Sequence, residues 1–478
     1  MDWKAGNLWP EVKVGDKVRR WDFEFTWTEH HKPGHVLEPL RQQGDPLADD
    51  VVSFLKLNPH QDVYAKVSEY LSTEDAPAVQ VLRFMEEMKR VPDWLDPSQI
   101  ERGQRVFWTY GFPILTLLCH FSLVGGMAHQ KVTKILMSTG YFSTARKTHY
   151  RLFETTQWIL DTMFTPHALD PETGLGWQSI FQVRLLHAQV RQRLKKLAQD
   201  IAYDVATDGV PINQEDLIST LCIFSVAMIE GLRRMGVRMS SEEQCDFIAV
   251  WRYIGYLMGV DEKIDPLRTV KVGMAWWQST IMHGLDPLNS NGRSQILASA
   301  VIQGLSDQPP MYLSLRHHAT MCRVLLGESL CDDLALPKGT RLDRIACWAQ
   351  IGIMGSLIRG GKVWKALGER RIERSKRIFQ KIVTWRLAGK RSKFEFKALP
   401  GARPGEEHVV EEWDIDEHGQ RIKYTEMKVK RMTMWRYHFA ALKPFLVLTA
   451  GVAGGALGVI TLLLLTSRTF GYVPTLRH

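Results

Sequence analysis

The stretch GWQSIFQVRLLHAQVRQRLKKLAQDIAYD (residues 176–204) decides how this chain is read. It has no proline, one glycine at its start, and apolar residues at helical spacing. It is predicted to be one long helix. His187 sits on it between Arg184 and Arg191. These three fall at i, i+3 and i+7 and share a face, with apolar residues 180, 183 and 194 on or beside that face. Repulsion from the guanidinium groups is expected to keep the ring neutral, and a neutral imidazole is a metal ligand. Buried arginines need anions. A haem would satisfy both demands, with iron for the nitrogen and propionates for the cations. A core or half-solvated histidine with no ligand role satisfies the pattern equally well.

The pattern stays helical on both sides of this segment. TARKTHYRLFETTQWILDTMF (144–164) reads as a helix ended by Pro166. PINQEDLISTLCIFSVAMIEGLRRMG (211–236) reads as another, with Asn213 as N-cap and Asp216 in its first turn. SSEEQCDFIAVWRYIGYLMGV (240–260) starts at a serine followed by acidic residues. Further helices are expected at 266–284, 292–305 and 314–327. Pro113 is expected to break the apolar stretch around Phe112–Val124, which is too short to span a bilayer. No alternating strand pattern is visible in residues 1–97. The fold class is therefore all-α, a multi-helix bundle or globin-like packing, with a C-terminal transmembrane helix.

The transmembrane expectation rests on PFLVLTAGVAGGALGVITLLLLT (444–466), which carries no charge and lies between Lys443 and Arg468. About 20 apolar residues suffice to cross a bilayer core. Trp435, Tyr437 and Phe439 lie where an interfacial aromatic belt belongs, and the Lys/Arg-rich flank upstream places the bulk of the chain in the cytosol. No secretory signal pattern opens the sequence. The expected organisation is an N-terminal helical extension (1–97), a helical core domain (98–360), a basic juxtamembrane region with an acidic loop (361–440), a tail anchor (441–468) and a short tail (469–478). The net charge of +9 is concentrated after residue 359. The basic run at 360–395 is read as contacting anionic lipid headgroups. No nucleic-acid-binding motif accompanies that charge. The six cysteines are far apart and form no C-x-x-C pair, so they read as buried free thiols rather than a zinc ribbon or redox motif.

A second constellation is RLFETT (151–156). Arg151, Glu154 and Thr155 lie at i, i+3 and i+4 on a helix otherwise rich in aromatic and aliphatic residues. They line the polar end of a pocket, or form a surface Arg–Glu pair. No H-E-x-x-H, G-x-S-x-G, P-loop or complete G-x-G-x-x-G occurs, which removes the corresponding hydrolase, nucleotide-binding and dinucleotide-binding classes.

R-x-x-E-T-T, then R-L-L-H-A-x-V-R some thirty residues later, then WRYIGYLMGV (251–260), resembles the rubber oxygenase (latex clearing protein) catalytic domain. That domain is shared with the endoplasmic-reticulum-bound oxygenase of mycophenolic acid biosynthesis. The resemblance covers roughly 100–330. It implies b-type haem with His187 as proximal iron ligand, and Arg151 and Thr155 near the distal haem face. It also implies Arg252 as a cofactor-binding cation paired to a propionate and Trp251 beside the haem, adding to Arg184 and Arg191, which the helix around His187 already offers as cofactor-binding cations. Rubber oxygenases carry lysine where this chain has Glu154; a carboxylate there can act as a base or position a water. The implied activity is oxidative cleavage of a carbon–carbon double bond in an apolar, prenyl-like substrate by O2. The implied setting is the endoplasmic reticulum membrane, with the catalytic domain cytosolic. A haem peroxidase or hydroxylase, and a non-catalytic membrane-tethered scaffold or lipid-binding protein, are the competing readings.

Overall fold

The computed structural model describes residues 12–57, 62–140, 145–196, 203–308, 311–387, 391–392, 394, 413–415 and 421–423. Within them the chain is overwhelmingly helical. The described residues within 12–306 and 314–394 form one compact unit. The helices that frame the site are, in chain order, α1 (Pro46–Phe54), α2 (Val79–Lys89), α3 (Pro97–Thr109), α4 (Ala145–Met163), α5 (Leu175–Lys196), α6 (Gln214–Phe224), α7 (Ser241–Leu257), α8 (Arg341–Val363) and α9 (Lys365–Arg386).

Their starts follow local chemistry. Asp45 caps α1 and Asp96 caps α3, each followed by a proline at the first helical position. Asn213 with Asp216, Ser240 with Glu243, and Thr340 with Asp343 form reciprocal capping boxes at α6, α7 and α8. α7 packs along α3 so closely that a Cβ on Gly103 would lie 2.1 Å from the Asp246 carbonyl oxygen, so only glycine fits there. One continuous apolar core joins residues from α1 to α9.

Four features depart from the sequence expectations. A two-stranded antiparallel hairpin, β1 (Lys17–Arg20) and β2 (Phe23–Thr26), lies where no strand pattern was read. Its inward positions include Arg20, whose guanidinium caps the carbonyls of Ile281, Met282 and Leu285 at the end of the helix Val270–Gly284. A cation facing inward hides the apolar alternation. The helix expected over 211–236 breaks at Ser225, whose hydroxyl donates back to the Leu221 carbonyl at 2.7 Å and bends the chain. The break expected at Pro113 lies at Tyr110. Proline lacks the N–H that would bond to the Thr109 carbonyl, which accepts from Arg371 at 2.8 Å instead. Finally, residues 46–97 share the core with the central helices.

No single helix among the described residues is long and apolar enough to cross a membrane. The pair Pro97–Thr109 and Gly111–Gly126 is long and apolar enough only when taken together, and it is bent by 78°. The segment 444–466, the aromatic belt at 435–439 and the tail lie outside the described residues. In a second unit, strands β3 (Trp413–Ile415) and β4 (Arg421–Lys423) pair antiparallel, within the region read as an acidic loop.

Candidate functional site

α5 carries the imidazole and α4 the carboxylate row. The two helices pack against each other along their length, and near their joined ends Ser179 of α5 donates to Asp161 of α4 at 2.6 Å. His187 is partly buried, and its Nδ1 is enclosed with no hydrogen-bond partner among the described residues. Its pKa is lowered to about 4, first by burial and then by the Arg191 charge, against a smaller opposing pull from Asp45. The ring is therefore neutral at physiological pH, as the sequence suggested, although desolvation contributes more than the guanidinium repulsion.

The three arginines each meet a protein carboxylate. Arg184 is buried and forked onto Asp45 at 2.8 and 3.1 Å, reaches Glu87 at 2.6 Å, and donates to the Leu257 carbonyl at 3.3 Å. Burial alone would raise the Asp45 carboxyl, but Arg184 outweighs it and holds it below the usual carboxylate range. Arg191 bonds Asp49 at 2.8 Å and the Ile212 carbonyl at 3.0 Å, leaving its Nη2 enclosed without a partner among the described residues. Arg252 bonds Asp265 at 2.5 Å and lies 3.8 Å over the Trp94 ring. Each of these cations has a protein carboxylate as its anion. Sequence reasoning missed Asp45, Asp49 and Glu87 because they are about a hundred or more residues upstream; the D-P cap of α1 was their one local signal.

On α4, Arg151 pairs with Glu154 within the helix. Glu154 is buried, and its Oε1 accepts from the Ser392 hydroxyl at 2.6 Å. Gln157 clamps the same serine through its backbone, accepting from Ser392 N at 2.8 Å and donating to Ser392 O at 3.1 Å. Arg391 reaches Asp161 at 2.6 Å. Thr155 is exposed and does not join Arg151 and Glu154. A turn of 100° per residue carries it off the inward row, which continues through Gln157 and Asp161. One turn from Glu154, Trp158 packs tilted against Trp251 and edge-on against Phe224, with ring centroids 6.3 and 6.2 Å apart, and the indole nitrogens of both tryptophans are buried without partners among the described residues.

Two cavities have volumes of about 880 and 680 Å³; the larger lies away from α4 and α5, between the β1–β2 hairpin and residues such as Ile229, Met239 and Met274. The smaller is lined by Asp45, Asp49, Glu87 and Arg184 among others; neither is lined by His187.

Among the described residues one set of three donors could hold a metal: His129, Glu215 and Asp216, all buried. The chemistry argues otherwise. His129 Nδ1 accepts the N-capping bond from Val132 N at 3.3 Å, so the proton sits on Nε2, which faces Glu215 at 3.6 Å. Arg41 already bonds Glu215 at 2.8 Å. Burial would raise the Glu215 carboxyl, yet His129 and Arg41 hold it at about 2. The cluster is a buried ion-pair hub in which Arg41 supplies the cation and the neutral His129 faces the same carboxylate.

Three imidazoles titrate together in their effect on stability. Burial lowers His187 and His120 to about 4 and His318 to about 3. His120 Nε2 and His318 Nδ1 share a hydrogen bond of 2.8 Å. Their folded pKa values lie below the unfolded value near 6.5, so the unfolded chain binds more protons below that pH. Stability is expected to be intact above about pH 6.5 and to fall as pH drops towards 4, by on the order of 1–3 kcal/mol per ring. Urea denaturation midpoints at pH 7.5, 6 and 4.5 check this; a flat profile contradicts it.

Residues 106–355, 250 of the 478, match the family described as ER-bound oxygenase mpaB/B′/rubber oxygenase, catalytic domain. Over 275 residues the chain is 22% identical to a rubber oxygenase of Streptomyces sp. (strain K30), covering 56% of this chain and 63% of that protein. The chain thus spans less than two thirds of that relative's length. A solved structure of latex clearing protein in the closed state superposes with a TM-score of 0.54 at 19% identity, covering 70% of this chain and 90% of that one. That likeness is one of fold. The family span holds His187, Arg151, Glu154 and Arg252, and excludes Asp45, Asp49, Glu87 and Ser392.

Proposed function

Because this chain belongs to the ER-bound oxygenase mpaB/B′–rubber oxygenase catalytic-domain family, we propose that it is a haem-dependent oxygenase acting on a carbon–carbon double bond of an apolar substrate with O2. The observation that carries this reading is the neutral, enclosed imidazole of His187, inside the family span and with an unpartnered ring nitrogen. That ring fits an iron ligand; Arg184 and Arg252 are committed to carboxylates and do not act as propionate partners, while the free Nη2 of Arg191 can. When bound, haem supplies the O2-dependent redox chemistry. The chain's own residues supply the surroundings. Glu154, held by Arg151 and Ser392, is a fixed carboxylate able to accept or position a proton. Trp158, Phe224 and Trp251 make an apolar wall suited to an alkene and poor in water.

The charge-free run 444–466 is assigned as a tail anchor in the endoplasmic reticulum membrane, with the helical domain cytosolic. A lipid-soluble substrate partitions into the same bilayer.

The visible spectrum of the purified chain tests the cofactor: a strong band at roughly 400–430 nm is expected for imidazole-held haem. A folded, colourless protein that takes up no added haemin overturns the proposal. Product masses then separate cleavage, which shortens the carbon skeleton, from hydroxylation, which does not. Glu154→Gln is expected to keep its haem and lose on the order of 100-fold in turnover. Ser392→Ala, which removes one of the two groups holding that carboxylate, is expected to lose about tenfold or less. Unchanged turnover in Glu154→Gln would reduce the residue to packing.

A further inference from the structure

α8 and α9 form a helical hairpin whose turn, at Trp364, is tight because Gly361 and Gly368 meet there; a Cβ on Gly368 would lie 2.5 Å from the Gly361 carbonyl oxygen. α9 carries eight Lys/Arg against two Glu. Four of those cations, Arg370, Arg374, Arg377 and Lys381, fall at i, i+4, i+7 and i+11 and form one exposed stripe. None has a carboxylate partner among the described residues, whereas Arg105, Lys362 and Lys376 nearby do. Large apolar side chains stand in the open along the same helix. Trp364 is 69% exposed and Leu367 46% at the turn, Ile378 43% in the middle, and Trp385 52% at the far end.

An ordinary solvated helix explains unpaired cations but not two open tryptophans bracketing them. Aromatic and aliphatic side chains interleaved with Lys/Arg on a single helix face match a surface that is both anionic and able to take in apolar groups. We propose that the outward face of α9 lies on the surface of an anionic lipid bilayer, with Trp364 and Trp385 seated at the headgroup level at its two ends. This deepens the membrane reading above and does not depend on the anchor: α9 docks the helical domain against the bilayer, whereas 444–466 only tethers it.

The test uses the full chain reconstituted in vesicles of phosphatidylcholine alone or with phosphatidylserine. A polarity-sensitive thiol probe is placed by Trp385→Cys in a Cys245→Ser background, since Cys245 is the exposed one of the six thiols. With phosphatidylserine the probe emission is expected to shift to the blue and to be quenched by doxyl-labelled lipid. Both signals are expected to vanish in about 1 M salt, where screening is nearly complete. Replacing Arg370, Arg374, Arg377 and Lys381 by Gln together is expected to lower the docked-to-free ratio on the order of 100-fold. A probe that stays water-like on both vesicles overturns the proposal. So does a probe already shielded in detergent while the chain elutes as a dimer, because a second copy then covers the face. Flotation with neutral vesicles in high salt reports the anchor separately: chain lost there with the probe response intact sinks the anchor and leaves α9 docking standing.

Discussion

His187→Ala is expected to give a folded chain that carries no haem and forms no O2-dependent product. The haem content should fall from about one equivalent to less than about a tenth, because no second imidazole replaces the lost ligand on α5. The helical far-ultraviolet signal should persist. His187 makes no hydrogen bond among the described residues, and its enclosed Nδ1 costs the fold desolvation without return. The same variant should lose one of the three acid-sensitive rings, so its stability should decline less steeply between about pH 6.5 and 4. Absorbance titration with haemin and denaturation at two pH values read both effects. Haem retained at wild-type stoichiometry would remove His187 from the ligand role, whatever the family match implies.

Arg184→Ala is expected to act on the fold. The substitution leaves Asp45 buried with no cation, and removal of one partner from a buried ion pair costs about 3–5 kcal/mol. Asp45 also caps α1, so the damage should spread to the packing of α1 on α5. A second substitution, Asp45→Asn, should recover part of the loss, since asparagine removes the stranded charge and still caps. Denaturation midpoints of the two variants check the pair. The outcome that contradicts this is stability within about 1 kcal/mol of wild type together with weakened haem binding, which would return Arg184 to a cofactor-binding role.

The helices were legible because each carries its own signal. The caps at Asn213 and Ser240 stand beside the apolar periodicity they start, and both proved to be reciprocal capping boxes. The family was legible because three ordered motifs on three helices restrict one another. The hairpin at residues 17–26 was hidden by an inward-facing Arg20, and the break at Ser225 by a back-bond that any serine can make without altering the pattern. At the site, the neutral state of His187 was legible in direction from Arg191 on the same helix, although burial, which the helix alone does not show, contributes more. The partners of the site's arginines were not legible, because Asp45 and Glu87 meet Arg184 across 139 and 97 residues of chain.

What the amino-acid order alone determined is the all-α class and the oxygenase family, since periodicity and capping act within a few turns of one helix; it gave the direction of the shift at position 187 through Arg191, while burial in the assembled core supplies the larger part. What only the tertiary structure decided is which buried charges find each other. It turned Arg184 and Arg252 towards protein carboxylates, set Thr155 in solvent while Ser392 closed on Glu154, and left Arg370, Arg374, Arg377 and Lys381 of α9 with no carboxylate partner among the described residues. Those outcomes depend on which distant groups the packing desolvates together, and desolvation is a property of the assembled core and not of any single segment.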